Sequence, residues 1–333
     1  LPVRLLLPAL LLAAALHAHA ADAPASLALS WDQQTLAIVH GGRVAIVDAR
    51  AGAAIDILAP LPADAAPLTV VALDPGAPHR LYTGDNDGNL ALWTIGHATP
   101  TQTVPAHHGP IRALAMSRLG GALLSAGQDG RAYMWDVASM TRTTEFPGAG
   151  APLTSIAWHN RRRVVTAGDD GRVRLYESPS GALLATLPPA EGGAITHLAA
   201  QLLTRWAATT SATGVVELWD VEAAQRVVRL ASNTPQRGAV FMARHYNRLR
   251  YRGRSYDEPT QLLTWDDAGT VTAWSLPAGQ PLAPIAQRPT PIAAATLSLD
   301  GRHLFLLDAT DTTTRWDTAL AAPSGVFTLD RRP

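Results

Sequence analysis

The strongest constraint on this chain is a short pattern that keeps returning: a glycine followed five residues later by a large aromatic. Gly88 precedes Trp93, Gly130 precedes Trp135, Gly171 precedes Tyr176, Gly214 precedes Trp219 and Gly269 precedes Trp274. Gly42 and Val47 keep the spacing upstream, and Asp311 and Trp316 keep it downstream. The anchors therefore stand at 47, 93, 135, 176, 219, 274 and 316, with intervals of 46, 42, 41, 43, 55 and 42 residues. A period of this length marks a repeat architecture, whose units cannot cover their own apolar faces and must stack on one another.

Within a unit the pattern is that of short strands. From Ile111 to Met140, apolar and small residues alternate over Ile111–Met116, a turn follows at Arg118–Gly121, and a second strand runs from Ala122 to Ala126. Gln128-Asp129-Gly130 supplies the positive φ that tight hairpin turns need. A third strand covers Ala132–Val137, and a weaker fourth leads toward Glu145. Turns every 8–12 residues without helical periodicity define an all-β chain. Seven anchors predict a seven-bladed β-propeller of four-stranded antiparallel blades. Its 333 residues, 47% of them apolar, then form one domain over residues 21–333 rather than two. The first unit begins at Leu27 with its own inner strand, and the last spans Pro291–Asp330. The ring is expected to close by packing between these two.

The segment His107–Asp136 resembles a WD repeat. That family has a His before the first strand, a Ser or Thr in the second, an Asp in the turn, and Trp-Asp closing the third. Here these are His107, Ser125, Asp129 and Trp135-Asp136. The resemblance implies that His107, Ser125, Asp129 and Trp135 form a hydrogen-bond chain holding the blade together. It extends over residues 27–330 with decay: Asp64, Ala149 and Glu191 stand at the His position, and the turn Asp persists as Asp87 and Asp170 but becomes Thr213 and Ala268. Trp219-Asp220 and Trp316-Asp317 repeat the anchor pair, while Trp31-Asp32 and Trp265-Asp266 fall elsewhere in their units and read as accidental.

Composition removes several chemistries. All 27 basic side chains are Arg, so no lysine can form a Schiff base. With no Cys there is no disulfide, thiolate nucleophile, Cys-ligated zinc or covalent haem attachment. A net charge of zero with 16% charged residues argues against nucleic-acid binding. Residues 1–20 carry Arg4, an apolar run Leu5–Leu16 and Ala18-His19-Ala20, the three-part pattern of a secretory signal peptide with cleavage near Ala20/Ala21. That apolar run is shorter than the ~20 residues of a membrane span. A periplasmic or secreted protein is expected, without a membrane span after cleavage.

His107, Ser125 and Asp129 invite comparison with a catalytic triad, but a nucleophilic Ser needs an oxyanion hole and an exposed turn, whereas Ser125 falls mid-strand. Gly84–Asn89 is rich in oxygen ligands, yet it lacks the spacing and distal Glu of a calcium loop and coincides with a hairpin turn. The scattered histidines lack zinc spacing, and His107 and His108 would face opposite sides of a strand. No metal and no cofactor is expected.

The segment Ala243–Pro259 accounts for the 55-residue interval. It interleaves Arg248, Arg250, Arg252 and Arg254 with Tyr246, Tyr251 and Tyr256, side chains enriched at binding hot spots. Turns between first and second strands also carry Arg80, Arg118, Arg161, Arg162, Arg163, Arg205 and Arg302, whereas turns between second and third strands carry Asp85, Asp87, Asp129, Asp169, Asp170, Asp266, Asp267, Asp308 and Asp311. This predicts a disc with one basic and one acidic face. The resulting expectation is a non-catalytic interaction scaffold of the cell envelope, contacting an acidic protein partner through Arg161–Arg163 and the Arg/Tyr insertion. The rival expectation is a propeller enzyme or cofactor-associated periplasmic protein (lactonase-like, quinoprotein-like or an electron-transfer accessory) using the central channel. Oligomeric state is left open.

Overall fold

The computed structural model describes residues 26–58, 65–148, 150–160, 162–200, 204–242, 261–298, 300–310 and 312–328. These form twenty-eight strands in seven four-stranded sheets, each antiparallel and in chain order. The blades cover 26–58, 68–105, 111–146, 153–186, 195–229, 236–287 and 292–328. The seven-bladed propeller of four-stranded antiparallel sheets is therefore the fold. No helix among the described residues is long and apolar enough to cross a membrane.

The anchors explain why these segments form strands. In blade three the second strand, Ala122–Gly127, pairs with the third, Ala132–Asp136, in the register Leu123↔Trp135 and Ser125↔Tyr133. Gly130 turns the chain between them with φ +75°. Buried Trp135 then lies diagonally across from Ser125 on one sheet face, because residues two apart share a face. The same Gly-to-aromatic interval sets the hairpins of blades two, four, five and six.

Every blade shares an apolar cluster with each neighbour. Leu81 and Trp93 of blade two pack with Ile46 and Leu58 of blade one. Tyr82 and Leu90, on the other face of blade two, pack with Leu123 and Trp135 of blade three. This continues around the ring to a cluster joining Leu36, Ile38 and Val47 of blade one to Phe305, Leu307 and Phe327 of blade seven. Backbone carbonyls of inner strands also take side-chain donors from the next blade. Thr69 Oγ1 donates to Ile111 O at 2.6 Å, Thr154 Oγ1 to Ile195 O at 2.6 Å, and Trp158 Nε1 to Ala115 O at 3.1 Å.

Among the described residues the seam between blades one and seven has no shared strand. The first inner strand is Ser26–Leu29, and the last outer strand is Ala322–Thr328. Arg315 spans the seam, with Nη1 donating to Ala49 O at 3.1 Å and Arg50 O at 2.8 Å. Phe327 lies so close to Gly52 that a Cβ there would sit 1.8 Å from its ring, and Gly52 has φ +71°. The seam is thus closed by packing and by one guanidinium. Phe327→Ala should cost about 3–5 kcal/mol, read as a drop in unfolding free energy by chemical denaturation.

Candidate functional site

The structure brings His107, Ser125, Asp129 and Trp135 together. The indole Nε1 of Trp135 donates to Ser125 Oγ at 2.9 Å. Ser125 Oγ lies 2.8 Å from His107 Nε2, and His107 Nδ1 lies 3.0 Å from Asp129 Oδ1. With Asp129 ionised, one direction satisfies all four groups: indole to hydroxyl, hydroxyl to Nε2, Nδ1–H to carboxylate. Asp129 also accepts the backbone N–H groups of His108 at 3.0 Å and Arg131 at 3.1 Å. Gly127 leaves room for this arrangement, since a Cβ there would sit 2.4 Å from His107 Nδ1. Ser125 is fully buried and His107 nearly so. Burial pushes the His107 imidazole below its ordinary range against the pull of Asp129. Burial raises the Asp129 carboxyl, but the His108 N–H, the His107 ring and the Arg131 N–H outweigh it and hold it low. A buried serine whose oxygen already serves an indole and an imidazole has the geometry of a strut.

Other blades contain parts of this chain that the sequence pattern did not single out. Trp93 donates to Thr83, Trp219 to Thr209 and Trp274 to Thr264, each at 2.8 Å and each ten residues upstream. That ten-residue offset is readable in the sequence. Blade seven breaks it, because Leu306 stands ten residues before Trp316, whose Nε1 is left without an acceptor. In blade four Tyr176 Oη donates instead to Pro147 O at 2.7 Å.

The expectation for the later turns needs correction. In blades six and seven an Asp two residues earlier, at the end of the second strand, ties the turn to the incoming chain. Asp266 accepts Thr234 Oγ1 at 2.7 Å and Thr270 N at 2.9 Å. Asp308 accepts Thr290 Oγ1 at 2.9 Å, Arg288 Nη2 at 2.7 Å and Thr312 N at 3.1 Å. Trp265-Asp266 is therefore not accidental: Asp266 replaces the missing turn Asp, and the buried Trp265 ring meets His197 edge-on at 5.5 Å. Asp85 likewise spends its carboxylate on its own turn, accepting Asp87 N at 2.9 Å, Asn89 N at 2.8 Å and Asn89 Nδ2 at 2.9 Å.

The charge dipole also needs correction. In an antiparallel blade the third-to-outer turns emerge at the same end as the first-to-second turns. They bring Asp48, Asp136, Glu177, Asp220, Glu222 and Asp317 onto the face expected to be basic. There Arg163 pairs with Glu222 at 3.0 Å and Arg205 with Asp220 at 3.5 Å. On the opposite face Arg131 pairs with Glu145 at 2.9 Å, Arg237 with Asp267 at 2.6 Å and Arg288 with Asp308 at 2.7 Å. Of the partner-contact residues, Arg162 is exposed, with its N–H on Asn160 Oδ1 at 2.8 Å. Arg161, Tyr246, Arg248, Arg250, Tyr251, Arg252, Arg254 and Tyr256 lie outside the described residues. The strands flanking the insertion, Gln236–Met242 and Gln261–Asp266, place its two ends at this same face.

The seven inner strands, which line the channel, contain no Asp or Glu. Their ionisable side chains are engaged or buried. Arg112 Nε donates to Gln128 Oε1 at 2.9 Å, Arg237 pairs with Asp267, His197 Nε2 lies 2.8 Å from Ala239 O, and His159 is wholly buried. Among the described residues no group of three or more His, Asp or Glu could hold a metal.

The WD domain, G-beta repeat family matches residues 98–136 and 140–177. Each match begins at or near an outer strand and ends on the third strand of the next blade, so the sequence repeat is offset from the sheet by one strand. The chain is a seven-bladed propeller with two segments that match the WD repeat. It is similar to human Coronin-7, 29% identical over 42% of this chain and 16% of that protein. The SIR4-interacting protein SIF2 of Saccharomyces cerevisiae is 32% identical over 29% of this chain and 18% of its own length. The pre-rRNA-processing protein IPI3 of Yarrowia lipolytica is 26% identical over 60% of this chain and 50% of its own length. The matches thus span half or less of these relatives. In fold the chain is similar to a chain of the mitotic checkpoint complex, with TM-score 0.72 and 16% identity over 87% of this chain and 86% of that one. The computationally designed Ika8 protein gives a TM-score of 0.67 at 18% identity, over 91% and 87% of the two chains.

Two outcomes follow from the buried groups. Ser125→Ala leaves both Trp135 Nε1 and His107 Nε2 without a partner and should cost about 1–3 kcal/mol in denaturant unfolding. The second concerns pH. Burial pushes both His107 and His159 below the ordinary value of 6.5, the Glu222 carboxylate opposing this at His159. The unfolded chain therefore takes up protons that the native state resists, and stability must fall as pH drops below 6.5 toward the depressed native values. The paired carboxylates Asp129, Asp170 and Asp308 are held below 3.8, so their contribution is lost only at lower pH. Between pH 7.5 and 5 the loss comes from imidazoles, and His159→Gln should reduce it; an unchanged pH slope in that variant would refute the assignment.

Proposed function

We propose that the chain is a rigid, non-catalytic platform for a protein partner, working in the cell envelope. The observation that carries this reading is the channel wall, whose inner strands offer no carboxylate and whose cations and histidines are already engaged or buried. One relative of similar sequence is named for its interaction with another protein. The contact we propose is the Arg/Tyr insertion between the first and second strands of blade six, together with Arg161, Arg162 and Arg163, and the partner is acidic. Support comes from the density of Arg and Tyr in the insertion and from its emergence on the face that also carries Arg162. Guanidinium groups on such a loop act on acidic groups within about 10 Å at 0.1 M salt.

Replacing Arg248, Arg250, Arg252 and Arg254 with Ser should abolish partner recovery in a low-salt pull-down from an envelope extract, while leaving the unfolding midpoint in place. Unchanged recovery would remove the insertion as the contact. The envelope assignment rests on the pattern of residues 1–20, and N-terminal sequencing of the exported protein should begin at Ala21.

A further inference from the structure

A cavity of about 520 Å³ opens at the seam between blades one and seven. It lies on the face carrying the first-to-second and third-to-outer turns. Arg50, Arg302 and Arg315 line it, together with Asp32, Asp300 and His303. These groups differ in how far the fold already uses them. Arg315 is consumed by the seam: beyond its two carbonyls it donates to Ser324 through Nε and Nη2. Asp32 accepts Ser30 Oγ at 2.5 Å and Gln34 N at 3.0 Å, and Asp300 accepts Ser298 Oγ at 2.6 Å and Arg302 N at 3.0 Å, so both acids cap their own turns. What remains is cationic or polar. The Arg50 guanidinium makes no hydrogen bond or ion pair with any described residue. Arg302 stands 3.9 Å from Asp300 with its side chain 78% exposed. His303 Nδ1 is buried without a hydrogen-bond partner.

One neighbouring turn is apolar. Large exposed apolar side chains among the described residues fall in two places: the outer strands, and three turns. The turn residues are Trp31, Leu119 and Leu320, at 37%, 72% and 76% exposure, and all three lie on the face that holds the cavity. The Trp31 ring is already covered by the Arg118 guanidinium of blade three, 5.3 Å from its centroid, which leaves Leu320 as the apolar side chain nearest the seam. The Leu320 turn is held against Arg302, whose carbonyl accepts Thr318 N at 2.9 Å.

We propose that this seam cavity binds a carboxylate side chain presented by an apolar-flanked acidic segment of a protein partner. Arg50 and Arg302 pair with the carboxylate, His303 donates to it from within, and Leu320 covers a flanking apolar residue. The unpaired Arg50 guanidinium, the exposed Arg302 held only at 3.9 Å from Asp300, and an imidazole nitrogen without a partner, near exposed Leu320, match that chemistry: the carboxylate satisfies the donors, and the apolar shoulder excludes water around the ion pair. The proposal rests on the scaffold reading and gives its acidic partner a second, built contact apart from the insertion.

The test uses the full chain and a labelled peptide with one Glu between Leu residues in a Gly/Ser frame, compared with the same peptide carrying Gln. Fluorescence anisotropy reads affinity, and the His303 ring resonances, assigned with His303→Asn, read occupancy of the cavity. The Glu peptide is expected to bind about tenfold more tightly than the Gln peptide, since a hydrogen bond to a charged group contributes at least that much. Arg50→Gln and Arg302→Gln should each remove that advantage and the His303 shift without moving the unfolding midpoint, while the insertion Arg→Ser variant should keep both. Equal affinity for the two peptides, or indifference to Arg50→Gln and Arg302→Gln, overturns the cavity assignment. So does self-association of the chain that the same two variants abolish, which would make a second copy the occupant. Loss of partner recovery in the insertion variant alongside such indifference would sink the cavity and leave the scaffold reading standing. Intact peptide binding without any partner recovered in the pull-down would do the reverse.

Discussion

The interaction on which everything else depends is face-to-face packing between neighbouring blades. A four-stranded sheet with apolar side chains on both faces has no stable existence alone. The seven clusters each combine residues of two adjacent blades, so each blade is covered only when both neighbours are present. Polar ties such as Thr69 to Ile111 O fix the angle between blades already driven together by apolar burial. This makes the ring cooperative, and it explains why sequence decay in individual repeats is tolerated. A blade that loses its internal hydrogen-bond chain is still clamped from both sides.

The strut in blade three shows what such decay removes. Trp135, Ser125, His107 and Asp129 link the third strand, the second strand, the incoming chain and the turn through one run of hydrogen bonds. Blades two, five and six keep the indole-to-hydroxyl half. Blades six and seven rebuild the other half with an Asp moved two residues and a Thr in place of His. What is retained is the tie between turn and incoming chain; the residues that make it are interchangeable wherever a carboxylate can reach a hydroxyl.

This bears on what the sequence made legible. Blade count, strand order and the strut of blade three follow from local spacings: an Asp-Gly turn fixes the hairpin, and the hairpin fixes which residues share a face. The acceptors Thr83, Thr209 and Thr264 obey the same arithmetic, but counted from the indole, ten residues back, and not from the turn glycine. The shifted Asp266 and Asp308 were hidden by a different cause, since a residue-for-residue alignment finds no Asp at the expected turn position. The face assignment failed on topology. Comparing first-to-second with second-to-third turns omitted the third-to-outer turns, whose Asp48, Asp136, Asp220 and Asp317 come back to the same end of the blade. Contacts such as Arg315 to Ala49 O, 266 residues apart, leave no local trace at all.

The seam joins the structural and functional arguments. Six of the seven blade junctions are bridged by the chain itself, as each outer strand leads into the next inner strand. Among the described residues the junction between blades seven and one shares no strand, and it is held by apolar burial around Phe327 and by the donors of Arg315. Arg315 is used up by that duty, which leaves Arg50, without a partner among the described residues, and the exposed Arg302, 3.9 Å from Asp300, as the donors at the mouth of the cavity. A ligand engaging one group from each blade would couple binding to ring closure, because Arg50 belongs to blade one and Arg302 to blade seven. Occupancy then stabilises the closed ring by the free energy of binding alone, and the least covalently secured junction becomes the one that a partner reinforces.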